Sequence, residues 1–161
     1  MNLSIRPTPP DHPQVRNLIA VLDAYLAELY EPEANHILDL QALQSADVEF
    51  LGAWSGDTLA GCGAARRMPA EDATQGRPYG EIKRMVVVPE LRGQGVATRL
   101  LARLESGLAQ CGLDRALLET GRAQAEAVAL YTRAGYVPRP AFGGYPDNGL
   151  SLFMEKRWSM S

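Results

Sequence analysis

The residue types and spacing best suited to chemistry lie in one turn, Arg92-Gly93-Gln94-Gly95-Val96-Ala97-Thr98. Gly93 and Gly95 carry no Cβ, so the main chain can bend sharply there and come close to a ligand. A helix opens directly after them, and the first amides of a helix have no acceptor inside it. Unpaired N–H groups at the positive end of a helix dipole suit an anion, above all a phosphate or pyrophosphate. The same glycines also suit a plain tight loop.

Two familiar phosphate motifs can be tested on these residues. A P-loop requires Lys followed by Ser or Thr after its last glycine, and Val96-Ala97 excludes it. A dinucleotide-binding turn fares better, because Gly93 and Gly95 form a G-x-G and Glu119 lies near the end of the next strand, where a ribose-binding acid would be. Its third glycine position, however, is Thr98, and residues 89–92 intervene between the strand and the first glycine.

The elements that hold this turn follow from hydrophobic spacing. Residues 82–88, in which Lys83 and Arg84 precede an apolar run up to Pro89, read as a buried strand, and Val96, Leu100, Leu104 and Leu108 recur every four residues as one face of a helix that Gly112 stops. Earlier in the chain, 3–6 is a short strand ended by Pro7, and 12–30 is an amphipathic helix with Asp11 as its N-cap. A short second helix is expected within 37–43. Residues 48–54 and 59–68 then alternate across the turn Ser55-Gly56-Asp57-Thr58, which predicts an antiparallel hairpin. Gly52, Gly61 and Gly63 inside it predict bulges or close packing.

Residues 69–79 read as a surface connection. After the Arg92 helix come a short buried strand at 116–118, a second helix stopped by Gly135, a strand from Tyr136, a Gly- and Pro-rich loop at 138–149 and a last strand at 150–154. The expected order is β, α, α, β-hairpin, β, α, β, α, β, β, with the two strands around the Arg92 helix parallel through a right-handed crossover.

With 161 residues, 46% of them hydrophobic, the chain suffices for one domain, 1–161, with a proper core. A net charge of −3 argues against a general nucleic-acid or anionic-membrane binder. The first ten residues contain no apolar run of signal-peptide length, and no segment approaches the roughly 20 apolar residues of a membrane span. Cys62 and Cys111 fall in apolar stretches without a metal-binding cluster, so both read as buried thiols of a cytoplasmic protein.

The turn and its surroundings resemble the GNAT superfamily of acyl-CoA-dependent N-acyltransferases. Arg92, Gly95 and Ala97 match its R/Q-x-x-G-x-G/A signature, and Tyr131, Gly135 and Tyr136 match its N-x-x-A-x-x-x-Y-x-x-x-G-F/Y block. Gln124 replaces the usual Asn and keeps a carboxamide on a longer arm. The resemblance covers the whole order of elements. It implies an α/β fold with a mixed central sheet flanked by helices, whose central parallel strands splay apart to admit acetyl-CoA.

It further implies that the main chain of Val86, Val87 and Val88 meets the pantetheine arm, and that Arg92, Gly93, Gln94, Gly95, Val96, Ala97 and Thr98 hold the pyrophosphate. Tyr131 becomes the candidate general acid toward the leaving thiolate. Glu81, eleven residues before Arg92, has the spacing of the base in histone-acetylating members, against a water chain or a strand-end surface carboxylate. Glu119 would orient water or substrate. The acceptor site would draw on Tyr30 and on Tyr145 in the loop before the final strand. Of Lys83 and Arg84, one should face solvent and the other the cleft or a salt bridge.

The implied activity is transfer of an acetyl group from acetyl-CoA to a primary amine, on a small molecule or a peptide, by direct attack in a ternary complex. Neither a metal nor an acyl-cysteine is required, and a homodimer is an option. The alternatives are a non-catalytic acyl-CoA-binding or regulatory module on the same fold, and a dinucleotide-binding oxidoreductase.

Overall fold

The computed structural model describes residues 2–29 and 40–160. Tyr30 therefore lies outside the described residues. Seven strands form one sheet: β1 (Ser4–Pro7), β2 (Val48–Ser55), β3 (Thr58–Met68), β4 (Tyr79–Val87), β5 (Arg115–Gly121), β6 (Val137–Arg139) and β7 (Ser151–Arg157), in the order β1-β2-β3-β4-β5-β7-β6. The helices are α1 (Pro13–Leu29), α2 (Leu40–Leu43), α3 (Val96–Gln110) and α4 (Ala125–Arg133). This is the expected order of elements, and the mixed sheet flanked by helices is the expected architecture.

The sheet has two buried faces. Val96, Leu100, Leu101, Leu104 and Leu108 of α3 pack with Ile82, Leu118, Met154 and Tyr131 on one of them. Val15 and Leu18 of α1 cover Phe50, Cys62, Ala64 and Val86 on the other. Tyr79, Leu117, Phe142 and Phe153 extend that second layer toward the loop before β7. Strand alternation thus sorts side chains between an α3/α4 face and an α1/α2 face.

β4 is where the sheet becomes irregular. It pairs in parallel with β5 only at Gly80↔Ala116 and Glu81↔Leu117, although both strands run on beyond those positions. Against β3, Lys83 faces Ala64 but Val86 faces Cys62, so β4 holds one extra residue and bulges. Arg84 takes the strain, with φ +57. Gly63 is the room made for it, since a Cβ there would collide with the Met85 sulfur. Gly61 allows equally close approach: a Cβ would lie 2.9 Å from the Val86 carbonyl oxygen.

The bulge corrects one expectation. Regular alternation would send Lys83 and Arg84 to opposite faces, but the extra residue puts both on the α1/α2 face, where neither is exposed. Arg84 pairs with Asp23 of α1 at 2.5 Å, and Lys83 pairs with Glu81 at 3.2 Å. Two further expectations fail. Tyr79 does not lie in a surface connection; it is fully buried in β4, with its ring edge-on to Phe142 at 5.6 Å. Cys111 is exposed because α3 ends at Gln110 and leaves it beyond the apolar stripe.

Candidate active site

The side formed by the end of β4 and the turn at 92–98 offers main chain. Val88 donates its N–H to the Ala60 carbonyl at 2.9 Å and accepts from Leu91 at 3.0 Å, so both its groups are engaged. Alternation turns Val86 the same way, toward β3, and leaves Val87 facing the gap where β5 has departed. Of the three valines, Val87 is the one whose N–H points away from β3. The Arg92 Nε reaches back to the Val87 carbonyl at 3.4 Å and ties the turn to the strand.

That turn opens α3 without any side-chain cap. Gly95 is the N-cap at φ +83, Gly93 sits at φ +78, and no acidic residue occupies the first helical turn. The N–H groups of Val96, Ala97 and Thr98 consequently have no intrahelical acceptor. A Cβ on Gly93 or Gly95 would meet nothing within 4 Å, so both glycines are demanded by backbone conformation while the space above them stays open. Residues 92–95 are exposed, Val96 is buried beneath them, and Thr98 is exposed. This cradle of unpaired donors fits a pyrophosphate. Gln124 is the N-cap of α4 and makes no side-chain capping bond, which leaves its carboxamide unengaged by the helix.

The α1/α2 face beside it offers side chains. Glu81 is 4% exposed on β4. Tyr145, from the loop before β7, donates its hydroxyl to Glu81 Oε2 at 2.6 Å, and Lys83 Nζ donates to the same oxygen at 3.2 Å and to the Tyr145 hydroxyl at 2.5 Å. Glu81 Oε1 has no bond within the described residues and is not among their buried unpartnered atoms. Burial, then the Glu81 charge, pushes the Tyr145 phenol above its ordinary range, so it remains a donor and not a base. Glu119, two residues along β5 from Leu117, accepts from Ser151 Oγ at 2.6 Å on the same face.

Tyr131 lies on the other face. It is 8% exposed, stacked edge-on to Tyr136 at 5.8 Å, and burial raises its phenol above the ordinary value. Tyr136 is held in turn by Glu105 Oε2 at 2.9 Å. The structure thus brings Glu81, Lys83, Tyr145 and Glu119 together on the α1/α2 face and sets Tyr131 on the α3/α4 face. Between the two faces, β4 and β5 pair only at Gly80↔Ala116 and Glu81↔Leu117. Cys62 is buried, and burial pushes its thiol up to about 12, which disfavours the nucleophilic thiolate. Among the described residues no group of three or more His, Cys, Asp or Glu is placed to hold a metal ion.

Two participants escape the motif. Lys83 could have been paired with Glu81 from i, i+2 spacing on one strand face, but the bulge that keeps Arg84 beside it has no such signal. Ser151 contacts Glu119 only through the β5–β7 register, in which Gly121 faces Ser151. The dinucleotide reading is overturned by topology. The strand before the glycine turn is flanked by an antiparallel hairpin and has only two parallel pairs, whereas a dinucleotide fold needs a continuous parallel sheet.

The comparison with known proteins agrees. The Acetyltransferase (GNAT) family matches residues 16–136. An IAA acetyltransferase from Azospirillum brasilense is 46% identical over 155 residues, 96% of this chain and 97% of the relative. The crystal structure of a candidate acyl-CoA N-acyltransferase from Klebsiella pneumoniae subsp. pneumoniae MGH 78578 is similar at TM-score 0.75 and 36% identity, covering 96% of this chain and 97% of that one. A PaiA N-acetyltransferase from Thermoplasma acidophilum, solved with coenzyme A, shares the fold at TM-score 0.68 and 18% identity over 98% of this chain and all of the other. The chain belongs to the acetyltransferase (GNAT) family.

Proposed function

We propose that the protein transfers the acetyl group of acetyl-CoA to a primary amine by direct attack within a ternary complex. The observation that carries this reading is the β4–β5 gap, with Glu81 on one face and Tyr131 on the other. Acetyl-CoA supplies the activated thioester. The chain supplies everything else. The turn at 92–98 holds the pyrophosphate through amides, and the Val87 N–H points where the thioester oxygen gains charge.

An acceptor amine arrives mostly protonated near neutral pH, and Glu81 Oε1 removes its proton. Lys83 and Tyr145 keep that carboxylate fixed on its other oxygen. Tyr131 then hydrogen-bonds the departing thiolate. Its raised phenol is a weaker acid than tyrosine in water, so it stabilises the sulfur by donation and hands over the proton late. Two carboxylates on the acceptor face, Glu81 and Glu119, favour a cationic amine, whether on a small molecule or a peptide, and Tyr30 belongs to the same proposal. The proposal also takes residues 1–161 as one domain and places it in the cytoplasm, supported by two free thiols. A homodimer is part of the same reading and is checked by sedimentation.

The test is calorimetric titration with acetyl-CoA and, separately, NAD, followed by a thiol-release screen of amines, with IAA tried as a separate candidate acceptor. Saturable acetyl-CoA binding and acceptor-dependent thiol release are expected. Tyr131→Phe should bind acetyl-CoA normally and lose about tenfold or more in kcat. Preference for NAD, or thiol release unaffected by every acceptor, would sink the reading.

A further inference from the structure

The loop that carries Tyr145 is not held by its own turn alone. Glu71, at the start of a short 3-10 turn (Asp72–Thr74) in the connection from β3 to β4, places one carboxylate between two elements. Its Oε2 accepts from the Tyr79 hydroxyl of β4 at 2.7 Å, and its Oε1 accepts from the Gly143 N–H at 2.8 Å. Gly143 is two residues before Tyr145, and its φ of +64 is a conformation open mainly to glycine.

The geometry around these bonds leaves the loop one place to go. Phe142 is 2% exposed and meets Tyr79, Tyr145 and Phe153 edge-on at 5.6, 5.6 and 5.8 Å. Glu71 itself is fixed by Thr74, whose hydroxyl accepts from the Glu71 N–H at 3.2 Å and is fully buried. Burial, aided by the Glu71 carboxylate, raises the Tyr79 phenol above its ordinary range. Tyr79 therefore stays protonated, and Glu71 faces two donors: a buried phenol that needs an acceptor and the exposed Gly143 N–H, which Glu71 holds in place of water.

We propose that Glu71 is a positioning residue for amine acceptance: by bridging Tyr79 and the Gly143 amide it sets Tyr145 against Glu81 and Lys83. This rests on the reading that Glu81 and Tyr145 receive the acceptor. Glu71 touches no substrate. Its effect passes through Tyr145 and belongs to the acceptor side alone, because the cofactor cradle lies at the other end of β4.

Kinetics of Glu71→Ala decides the matter. Loss of a charge-assisted bond to the loop should raise the acceptor KM about tenfold and leave the acetyl-CoA KM within about twofold. Glu71→Gln should recover most of the loss, since its carboxamide can accept from Gly143 while the Tyr79 hydroxyl turns to accept from it. Glu71→Ala combined with Tyr145→Phe should be no worse than Tyr145→Phe alone, which a merely structural role would not produce. If Glu71→Ala does not fold, Tyr79→Phe, which removes one of the two bonds and keeps the ring, should raise the acceptor KM about threefold.

Equal movement of both KM values, no movement, or a double variant that loses the full Glu71 factor again would overturn the proposal. Hydrogen exchange gives a readout independent of activity. Amides of 141–147 should exchange faster in Glu71→Ala, with those of α3 unchanged. Unchanged exchange in 141–147 overturns the clamp by itself. A wild-type enzyme that acetylates no amine would overturn the function reading instead.

Discussion

The two sides of the cleft are built from different materials. The proposed cofactor side is main chain: amides at the start of α3, two glycines with positive φ and the Val87 N–H beside a parting of strands. The proposed acceptor side is side chain: Glu81, Lys83 and Tyr145 within 3.2 Å of one another, and Glu119 on Ser151. Backbone donors are spaced by the geometry of a helix and cannot be changed one at a time without breaking the turn. Side-chain groups can each be replaced while the strand beneath them persists. The first arrangement suits the ligand that stays the same, and the second suits the ligand that varies between enzymes of one fold.

If that division is real, variants on each side should move one substrate and spare the other. The largest effect belongs to Glu81→Gln. A carboxamide still accepts from Tyr145 but cannot take the proton of an ammonium, so kcat should fall by about a thousandfold, with acetyl-CoA affinity unchanged. Steady-state kinetics with calorimetry as control measures both. Loss of acetyl-CoA binding in this variant would show that the two sides are not separable.

Next comes Gly95→Val. The space above Gly95 is open, yet φ +83 is barred to a β-branched residue, so the turn must rearrange and carry its amides with it. Acetyl-CoA affinity should weaken by about a hundredfold, read by calorimetric titration. Circular dichroism should show the helices intact. Unchanged affinity would mean that the cradle holds no pyrophosphate.

The same division governs what could be read from the amino-acid order. The cofactor side is contiguous, so Arg92, Gly95 and Ala97 announce it through local spacing, and the apolar run after Ile82 gives its strand. Elements with strong periodicity, α1 and α3, are legible for the same reason. Tyr145 and Glu81 stand 64 positions apart, and their meeting depends on β7 pairing with β5 and on a loop clamped from the β3–β4 connection. No local pattern encodes that. The bulge at Arg84 is equally silent, because its cause is the missing side chain of Gly63 on a neighbouring strand. Tyr79 was hidden by its polar surroundings in sequence; the aromatic cluster that buries it comes from residues beyond position 140.

The smallest effect tests whether distant anchoring can be told apart from the site. Asp114 accepts from Arg115 Nε at 2.8 Å and from Arg77 Nη2 at 2.7 Å, and the Arg115 bond leads the interactions that hold its carboxyl below the usual range. A carboxyl with a lowered folded pKa contributes stability that is fully present above its unfolded value of about 3.9 and is lost as pH falls through the folded value. Asp114→Asn should therefore cost about 1 kcal/mol in urea unfolding at pH 7, with the gap to the parent closing as the pH drops below about 4. Both KM values should stay within about twofold, even though Arg77 belongs to the connection that carries Glu71. The connection's hold on the acceptor loop runs through Glu71, the buried Thr74 and the Ala73 carbonyl, which accepts from Arg139 Nη2 at 2.6 Å, and the half-exposed Arg77 pair is expected to contribute to the fold alone. A rise in acceptor KM for Asp114→Asn would extend the acceptor side to the far end of β5 and erase the boundary drawn between positioning and mere stability.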